Sequence, residues 1–130
     1  MIKQIVSKIT PIACEEKLRL VVLFGSHAIG KAHPQSDVDI ALDVGPDCSQ
    51  ERKSKIELLF FKAIPKVDLV FLDDASPLLL AAIAKDGKPL FEAERSLFSL
   101  FQLRAWREYF DYKPYLELRA RLNRDKLKAL

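Results

Sequence analysis

A glycine–serine pair and three aspartates are the residues of this 130-residue sequence whose types and spacing are most suited to chemistry. Ten residues separate Gly25-Ser26 from Asp37, Asp39 follows two positions later, and Asp68 lies further along the chain. A glycine lets a phosphate approach the backbone, and a serine hydroxyl and the first N–H groups of a short helical turn bind anions. Two neighbouring carboxylates repel each other unless a cation lies between them, and Mg²⁺ prefers a few carboxylates together with waters and substrate phosphates. The pattern therefore predicts a site for a triphosphate and Mg²⁺.

The segment from Gly25 to Lys31, GSHAIGK, also matches most of the phosphate-binding P-loop pattern GxxxxGK[ST]. That pattern needs a Ser or Thr hydroxyl for the metal at the next position, where this sequence has Ala32, and a long helix after the loop. Here a loop-like segment follows, and a strand is predicted from Asp37 onward. We therefore interpret Gly25-Ser26 with the Asp pair as the motif, and Lys31 as a residue that either contacts phosphate or extends into solvent.

The aspartates are spaced for one shared site. Because side chains alternate across a strand, Asp37 and Asp39 project from one face. Asp68 opens an otherwise apolar segment, where burial without a partner would be costly. If its strand lies beside that of Asp39, the carboxylates form a two-metal site for phosphoryl transfer, in which Asp68 also accepts the proton of the attacking hydroxyl. The alternative is that these acids cap strand ends in solvent.

The remaining polar residues near these motifs carry weaker signals. Asp43, Asp47, Asp73 and Asp74 are predicted to lie in turns. His27 and His33 flank the predicted phosphate site, and solvent exposure is favoured over contact with substrate for both.

Positioning the motifs requires alternating strands and helices. Runs of β-branched and aromatic residues predict short buried strands at residues 18–24, 37–44, 67–72 and 89–91. Helical spacing and N-caps predict helices at residues 49–62, capped by Ser49, and 76–85, capped by Ser76. One or two short helices precede the first strand, with a break or a fresh start at Thr10-Pro11. The alternation predicts an α/β fold.

The segment after Glu92 is helical and has no strand pattern. Its apolar residues between Leu97 and Phe110 leave little room for a fully polar face, so the helix needs burial on more than one side, against the sheet or against another chain. Pro114 either kinks this helix or begins a second one that runs to Leu130.

The charge distribution follows the same division of the chain. Residues 1–92 have 12 Lys and Arg against 13 Asp and Glu, whereas residues 93–130 have 9 against 5. Such an excess is typical of a solvated helix face, or of a surface for a protein or RNA partner. We predict a core of residues 1–92 and a helical tail of residues 93–130, which packs on the core, on a partner or on a second copy of the chain.

Composition argues against several classes of protein. A chain with 49% hydrophobic and 30% charged residues is typical of one soluble globular domain. No apolar run approaches the roughly 18 residues of a membrane helix, and the first residues lack the pattern of a signal peptide. Cys14 and Cys48 have no CxxC spacing, so neither a disulfide framework nor a zinc site is expected. We expect a cytoplasmic protein that binds neither membranes nor, directly, nucleic acid.

The motifs resemble those of the nucleotidyltransferase superfamily related to DNA polymerase β, and in particular its small members, the minimal nucleotidyltransferases. The family signature is Gly-Ser, ten intervening residues, Asp-x-Asp and a later Asp, which Gly25-Ser26, Asp37, Asp39 and Asp68 match without a gap. The flanking LFGS and SDVDIAL are similar too, and the resemblance covers about residues 1–92. It implies a small mixed sheet of about four strands, flanked by helices and followed by a helical tail.

The resemblance also implies roles for the motif residues. Asp37, Asp39 and Asp68 would bind about two Mg²⁺ ions, Asp68 would serve as the base, and Gly25-Ser26 would hold ATP. Family members transfer a nucleoside monophosphate to an acceptor hydroxyl and release pyrophosphate. Many members have Arg at the position of His27, so in this chain the neutralisation of phosphate would be weaker or shared with Lys31.

The tail suggests a subfamily. The segments SPLLLAAIAKDGKPLFE and LRAWREYFDYKPYLELRARL resemble minimal nucleotidyltransferases encoded beside a HEPN-domain ribonuclease toxin. Members of that group act as antitoxins by attaching AMP to a tyrosine of the toxin, so the resemblance implies a HEPN toxin as partner. Two alternatives remain open. One is transfer to a small molecule such as an aminoglycoside, for which this chain has no large second domain to form a pocket. The other is an antitoxin that acts by binding alone and retains a relict site.

Overall fold

The computed structural model of the chain describes residues 2–129, which contain four strands and four α-helices. In chain order the elements are α1 (Ile2–Glu15), β1 (Leu20–Phe24), β2 (Val38–Asp43), α2 (Gln50–Ala63), β3 (Val67–Phe71), α3 (Pro77–Asp86), β4 (Lys88–Glu92) and α4 (Leu97–Ala129). Short 3₁₀ turns follow β1 and β3, at Gly25–His27 and Leu72–Asp74. The predicted α/β class is confirmed.

The strands form one mixed sheet in the order β3-β2-β1-β4. The central strand β1 runs antiparallel to both of its neighbours, whereas β2 and β3 are parallel and are joined by the crossover helix α2. The expected mixed four-stranded sheet is therefore confirmed. Because of these directions, the end of β1 and the beginnings of β2 and β3 meet at one edge of the sheet, and this edge carries the predicted chemistry.

Helices cover both faces of the sheet. Val21 and Leu23 of β1 pack in one core with α1 and α2, and Leu20 and Val22 pack in a second core with α3 and α4. Burial on both faces explains why β1 reads as an uninterrupted apolar run, LVVLF.

Two of the helices begin where the sequence predicts. The hydroxyl of Ser49 accepts a hydrogen bond from the N–H of Arg52 at 3.1 Å, and that of Ser76 accepts one from the N–H of Leu79 at 3.3 Å. Both N-caps are confirmed, as is Pro77 in the first turn of α3. Strand ends differ from the prediction by one or two residues, and Asp37 lies just before β2 instead of inside it.

In the described residues, both α1 and α4 run through a proline at which the sequence allowed a new helix to begin. Helix α1 continues through Thr10-Pro11, because Ile5, Ile9 and Ala13 lie four residues apart on its buried side and pack into the core across the proline. The prediction of a break was wrong because this tertiary packing outweighs the lost backbone hydrogen bond. Helix α4 likewise runs through Pro114, so a second helix beginning there was also wrong; the helix is exposed at this position, where water can bond the carbonyl that lacks a donor.

Helix α4 is buried along one side only. Phe98, Phe101 and Ala105 pack into the core beside α3, which confirms packing on the sheet, and Gln102 donates a hydrogen bond to the carbonyl of Ala84 at 2.9 Å. The opposite side is exposed, with large apolar side chains at Leu100, Leu103, Trp106 and Phe110. The division into a core of residues 1–92 and a tail of residues 93–130 stays a prediction.

Truncating the buried side of α4 should destabilise the whole domain. We expect Phe101→Ala to lower the free energy of unfolding by about 3–5 kcal/mol, because it leaves a cavity in the core. Leu100→Ala, one residue away, should change that free energy by only about 0.5 kcal/mol, because Leu100 is 60% exposed. Chemical denaturation of both variants measures the difference, and equal costs would show that α4 is not anchored through Phe101.

Candidate active site

The Gly25-Ser26 pair forms a tight turn at the end of β1. Gly25 has a φ of +72°, which favours glycine, and its carbonyl accepts a hydrogen bond from the N–H of Ala28 at 3.1 Å. The carbonyl of Ser26 accepts one from the N–H of Lys31 at 2.9 Å, which closes the loop that follows. The turn therefore has a fixed backbone at the edge of the sheet where a phosphate was predicted to bind.

The backbone of Gly25 lies directly against the carboxylate of Asp39. A Cβ placed on Gly25 would overlap Asp39 Oδ2 and lie 3.0 Å from its Cγ. The strand register explains this approach, because Phe24 pairs with Asp39 across the antiparallel β1–β2 ladder. The glycine of the motif is thus needed both for its φ and for the space beside the carboxylate.

Asp39 and Asp68 are neighbours across the sheet. They are paired residues in the parallel ladder between β2 and β3, so both side chains project from the same face. Ile40, the next residue of β2, packs in the core of α1 and α2, so Asp39 projects from the opposite face. Farther from this edge of the sheet, α3 and α4 cover that opposite face. Asp37 is exposed just before the strand and completes the acidic group.

The electrostatics of Asp39 reflect this crowding. Burial raises the pKa of Asp39, and the charges of Asp68 and Asp37 and a hydrogen bond with Asp68 raise the pKa further. The nearby imidazole of His27 acts in the opposite direction and lowers the pKa of Asp39. In the absence of a cation, the site therefore disfavours the charged form of the carboxylate that a metal would need.

A stability measurement can detect this repulsion. Because the pKa of Asp39 is raised in the folded state, the stability it contributes is present below its ordinary value of 3.8 and is lost as the pH rises through the folded pKa. We expect Asp39→Asn to have a higher Tm than the wild type near neutral pH in a metal chelator, with a difference that shrinks toward about pH 3. Asp43→Asn is the matched control, because Asp43 pairs with Arg19 at 3.7 Å and should show no gain. A lower Tm for Asp39→Asn near neutral pH would contradict the expectation.

The carboxylates at this edge of the sheet suit Mg²⁺ that binds together with a nucleotide. Among residues 2–129, no group of three His, Cys, Asp or Glu side chains is arranged as a ready metal-binding cluster. Mg²⁺ does not require such a cluster, because it usually binds one or two carboxylates and completes its shell with waters and substrate phosphates. The pair of Asp39 and Asp68 beside the Gly25-Ser26 turn, which is predicted to bind phosphate, fits this mode of binding, in which metal and nucleotide arrive together.

The other predicted residues lie around this centre. Lys31 is exposed and forms no salt bridge with any residue of the range 2–129. His27 is half-buried, with Nε2 at 3.5 Å from the carbonyl oxygen of Ser36, whereas His33 is exposed and accepts a hydrogen bond from the N–H of Gln35. The solvent exposure favoured for both histidines is confirmed for His33 and stays a prediction for His27, which is partly exposed and which the short turn after Ser26 brings close to Asp39.

The remaining aspartates lie away from this edge. Asp47 is in a turn, as predicted, but Asp43 is the last residue of β2 and not a turn residue, because it pairs with Arg19. Asp73 and Asp74 lie in the 3₁₀ turn after β3 and bind the ammonium group of Lys53 at 2.9 and 3.2 Å. Lys53 is nearly fully buried, and no local pattern in the sequence signals this ion pair.

The fold and the site define a class of protein, the nucleotidyltransferases related to polymerase β. The family model described as Polymerase beta, Nucleotidyltransferase matches residues 7–96, and the chain belongs to this family. None of the helices in the described residues is long and apolar enough to cross a membrane.

Within this family, the chain is similar in sequence to two protein adenylyltransferases. The chain is 32% identical over 80 residues to the protein adenylyltransferase MntA of Shewanella oneidensis, and 31% identical over 98 residues to the MntA of Aphanizomenon flos-aquae. These matches cover 61% and 67% of this chain, but only 58% and 65% of the length of the two relatives.

Solved structures extend the similarity over almost the whole fold. A crystal structure of a toxin–antitoxin with AMP-PNP matches with a TM-score of 0.72 and 25% identity, over 95% of this chain and 98% of the other. The structure of a tri-AMPylated Shewanella oneidensis HEPN toxin in complex with MNT antitoxin matches with a TM-score of 0.69 over 98% of this chain and 99% of the other. At 23% identity, that second match shows the fold alone.

Proposed function

We propose that this protein is an antitoxin that transfers AMP from Mg-ATP to the hydroxyl group of a tyrosine on a HEPN toxin partner. The observation that carries the proposal is the pairing of Asp39 with Asp68 directly beside the Gly25-Ser26 turn. The similarity to two MntA adenylyltransferases and to a toxin–antitoxin with AMP-PNP supports AMP as the transferred group and a toxin as the acceptor. ATP is abundant in the cytoplasm, and we place the reaction there.

Each residue of the site has a role in this reaction. Asp37 and Asp39 bind Mg²⁺, Asp68 completes the metal site, and Gly25, Ser26 and Lys31 hold the triphosphate. About two ions fit this family of reactions, and bound Mg²⁺ supplies charge neutralisation for the phosphates. The turn orients the α-phosphate beside the carboxylates, so that an acceptor hydroxyl can approach in line with the bond that breaks.

The chemical step is a phosphoryl displacement. The oxygen of the acceptor hydroxyl forms a bond to the α-phosphorus as the bond from that phosphorus to the bridging oxygen of the β-phosphate breaks, and pyrophosphate leaves. The carboxylate of Asp68 accepts the hydroxyl proton and releases it to water. Its exposure at the beginning of β3 allows an acceptor on a second protein to reach it.

A labelling experiment tests the proposal. The protein is incubated with α-labelled ATP and Mg²⁺, with and without the product of the adjacent gene as the candidate toxin, and toxin activity is measured in parallel. We expect label on a toxin tyrosine and loss of toxicity, both absent when Asp37→Asn and Asp39→Asn are combined. Neutralisation without label, unchanged in the double variant, would show an antitoxin that acts by binding alone. Label on added aminoglycosides but not on the toxin would show a small-molecule transferase.

A further inference from the structure

An open pocket lies beside the Gly25–His27 turn, and none of the residues that line it has a role in the reaction described above. Its volume is about 590 Å³, within the range of roughly 300–1,000 Å³ that small-molecule and cofactor sites occupy. It is lined by Ile2, Lys3, His27, Gly30, Ala32 and Lys88. These residues are far apart in the sequence, because they come from α1, from the turn and loop after β1 and from the start of β4.

The lining of this pocket is cationic. Three of the six lining residues are basic, namely Lys3, His27 and Lys88, and none is an Asp or Glu. Within residues 2–129, neither lysine forms a salt bridge. Two lysines without a carboxylate partner in one concave surface repel each other and attract an anion.

The pocket and the carboxylates lie on opposite faces of the sheet. Lys88 pairs with Leu23, whose side chain packs in the core of α1 and α2, so Lys88 projects toward that face. Asp39 projects from the other face, and the turn at Gly25–His27 lies between the two regions. His27 links them, since it belongs to this turn and also lines the pocket.

We propose that this pocket is a second phosphate-binding site, which takes a phosphate group of a nucleotide across the turn from the catalytic carboxylates. Lysine ammonium groups bind phosphate as point charges, and the volume leaves room for more than a single phosphate. Two sources have this chemistry: the terminal phosphates of ATP, which leave as pyrophosphate, and an AMP unit already attached to the acceptor. Binding of phosphate in this pocket does not depend on the proposed AMP transfer, but the choice between these two sources of the phosphate group rests on it.

Direct binding to the metal-free protein tests the site. Binding of inorganic pyrophosphate and of AMP is measured by calorimetry in a metal chelator, because the bare carboxylates then repel phosphate and cannot provide the site. Compared with the wild type, Lys3→Gln combined with Lys88→Gln should weaken the binding of at least one probe by about ten-fold or more. Lys62→Gln combined with Lys85→Gln removes the same charge from exposed positions outside the pocket and is the matched control. Equal affinities for the two double variants, or no binding by the wild type, would overturn the proposal.

Transfer assays then distinguish the sources. If the terminal phosphates of ATP occupy the pocket, the Lys3 and Lys88 double variant should raise the KM for ATP and weaken inhibition by pyrophosphate at the first transfer. If an attached AMP occupies it, the first transfer should match that of the control, and later additions to the same acceptor should be slower. Pyrophosphate or AMP binding that depends on Lys3 and Lys88 in a protein without AMP transfer would support the pocket and refute the proposed function. Normal AMP transfer by the wild type, with pyrophosphate and AMP binding unchanged in the Lys3 and Lys88 double variant, would support the proposed function and refute the pocket.

Discussion

Asp39→Asn is expected to lower the rate of the proposed AMP transfer by about 10³-fold or more, because metal ions supply several kcal/mol of charge stabilisation in phosphoryl displacements. Asparagine keeps the shape of the side chain and one acceptor oxygen, so the fold and the pairing with β3 should persist. The loss comes from the missing negative charge, which lies between Asp68 and the Gly25-Ser26 turn. Single-turnover transfer at saturating ATP measures the rate.

The strand that carries Asp39 also provides a control. Asp43 projects from the same face of β2 four residues later, but it pairs with Arg19 at the far end of the strand. Asp43→Asn should therefore retain transfer within a few-fold of the wild type while changing the net charge by the same amount. Transfer by Asp39→Asn at the level of Asp43→Asn would exclude Asp39 as a metal ligand.

Part of this site could be predicted from residues close together in the sequence. The Gly-Ser turn, the strand of Asp39 and the helix caps at Ser49 and Ser76 depend on residues a few positions apart, and the structure has each of them. The sheet neighbours of Asp39 could be expected from the sequence only on the condition that β2 and β3 are adjacent. That condition depends on a crossover through α2. The alternation of elements predicts a crossover of this type, but not which residues of β2 and β3 pair with each other.

The errors have a common physical origin. A proline predicts a helix break from one missing N–H group, yet α1 continues through Pro11 because core contacts on both sides of it hold the helix. Similarly, the burial of Lys53 depends on two acids in a turn twenty positions later, and the ion pair of Asp43 with Arg19 joins the end of β2 to the residue that precedes β1. Each of these features depends on contacts between elements, which local spacing does not specify.

Gly25→Ala is expected to impair both folding and catalysis, through two separable effects. The φ of +72° costs an alanine about 1–2 kcal/mol of stability. The new Cβ would also overlap Asp39 Oδ2, which must move. Because a displacement of about 1 Å in a reacting group can cost roughly 10²-fold in rate, we expect a loss of transfer of that order in the molecules that fold.

A second glycine separates strain from overlap. Gly45 has a φ of +81°, but a Cβ there would meet only the Cδ of Arg19 at an ordinary 3.5 Å. Gly45→Ala should therefore show the backbone cost alone, about 1–2 kcal/mol, and keep normal transfer. In an Asp39→Ala background, the cost of Gly25→Ala should fall toward that of Gly45→Ala, because the overlapping carboxylate is gone and only the Cβ of residue 39, at 3.3 Å, remains close. An unchanged cost in that background would mean that Gly25 is required for its φ only, and that the close approach of the turn to Asp39 does not fix the geometry of the site.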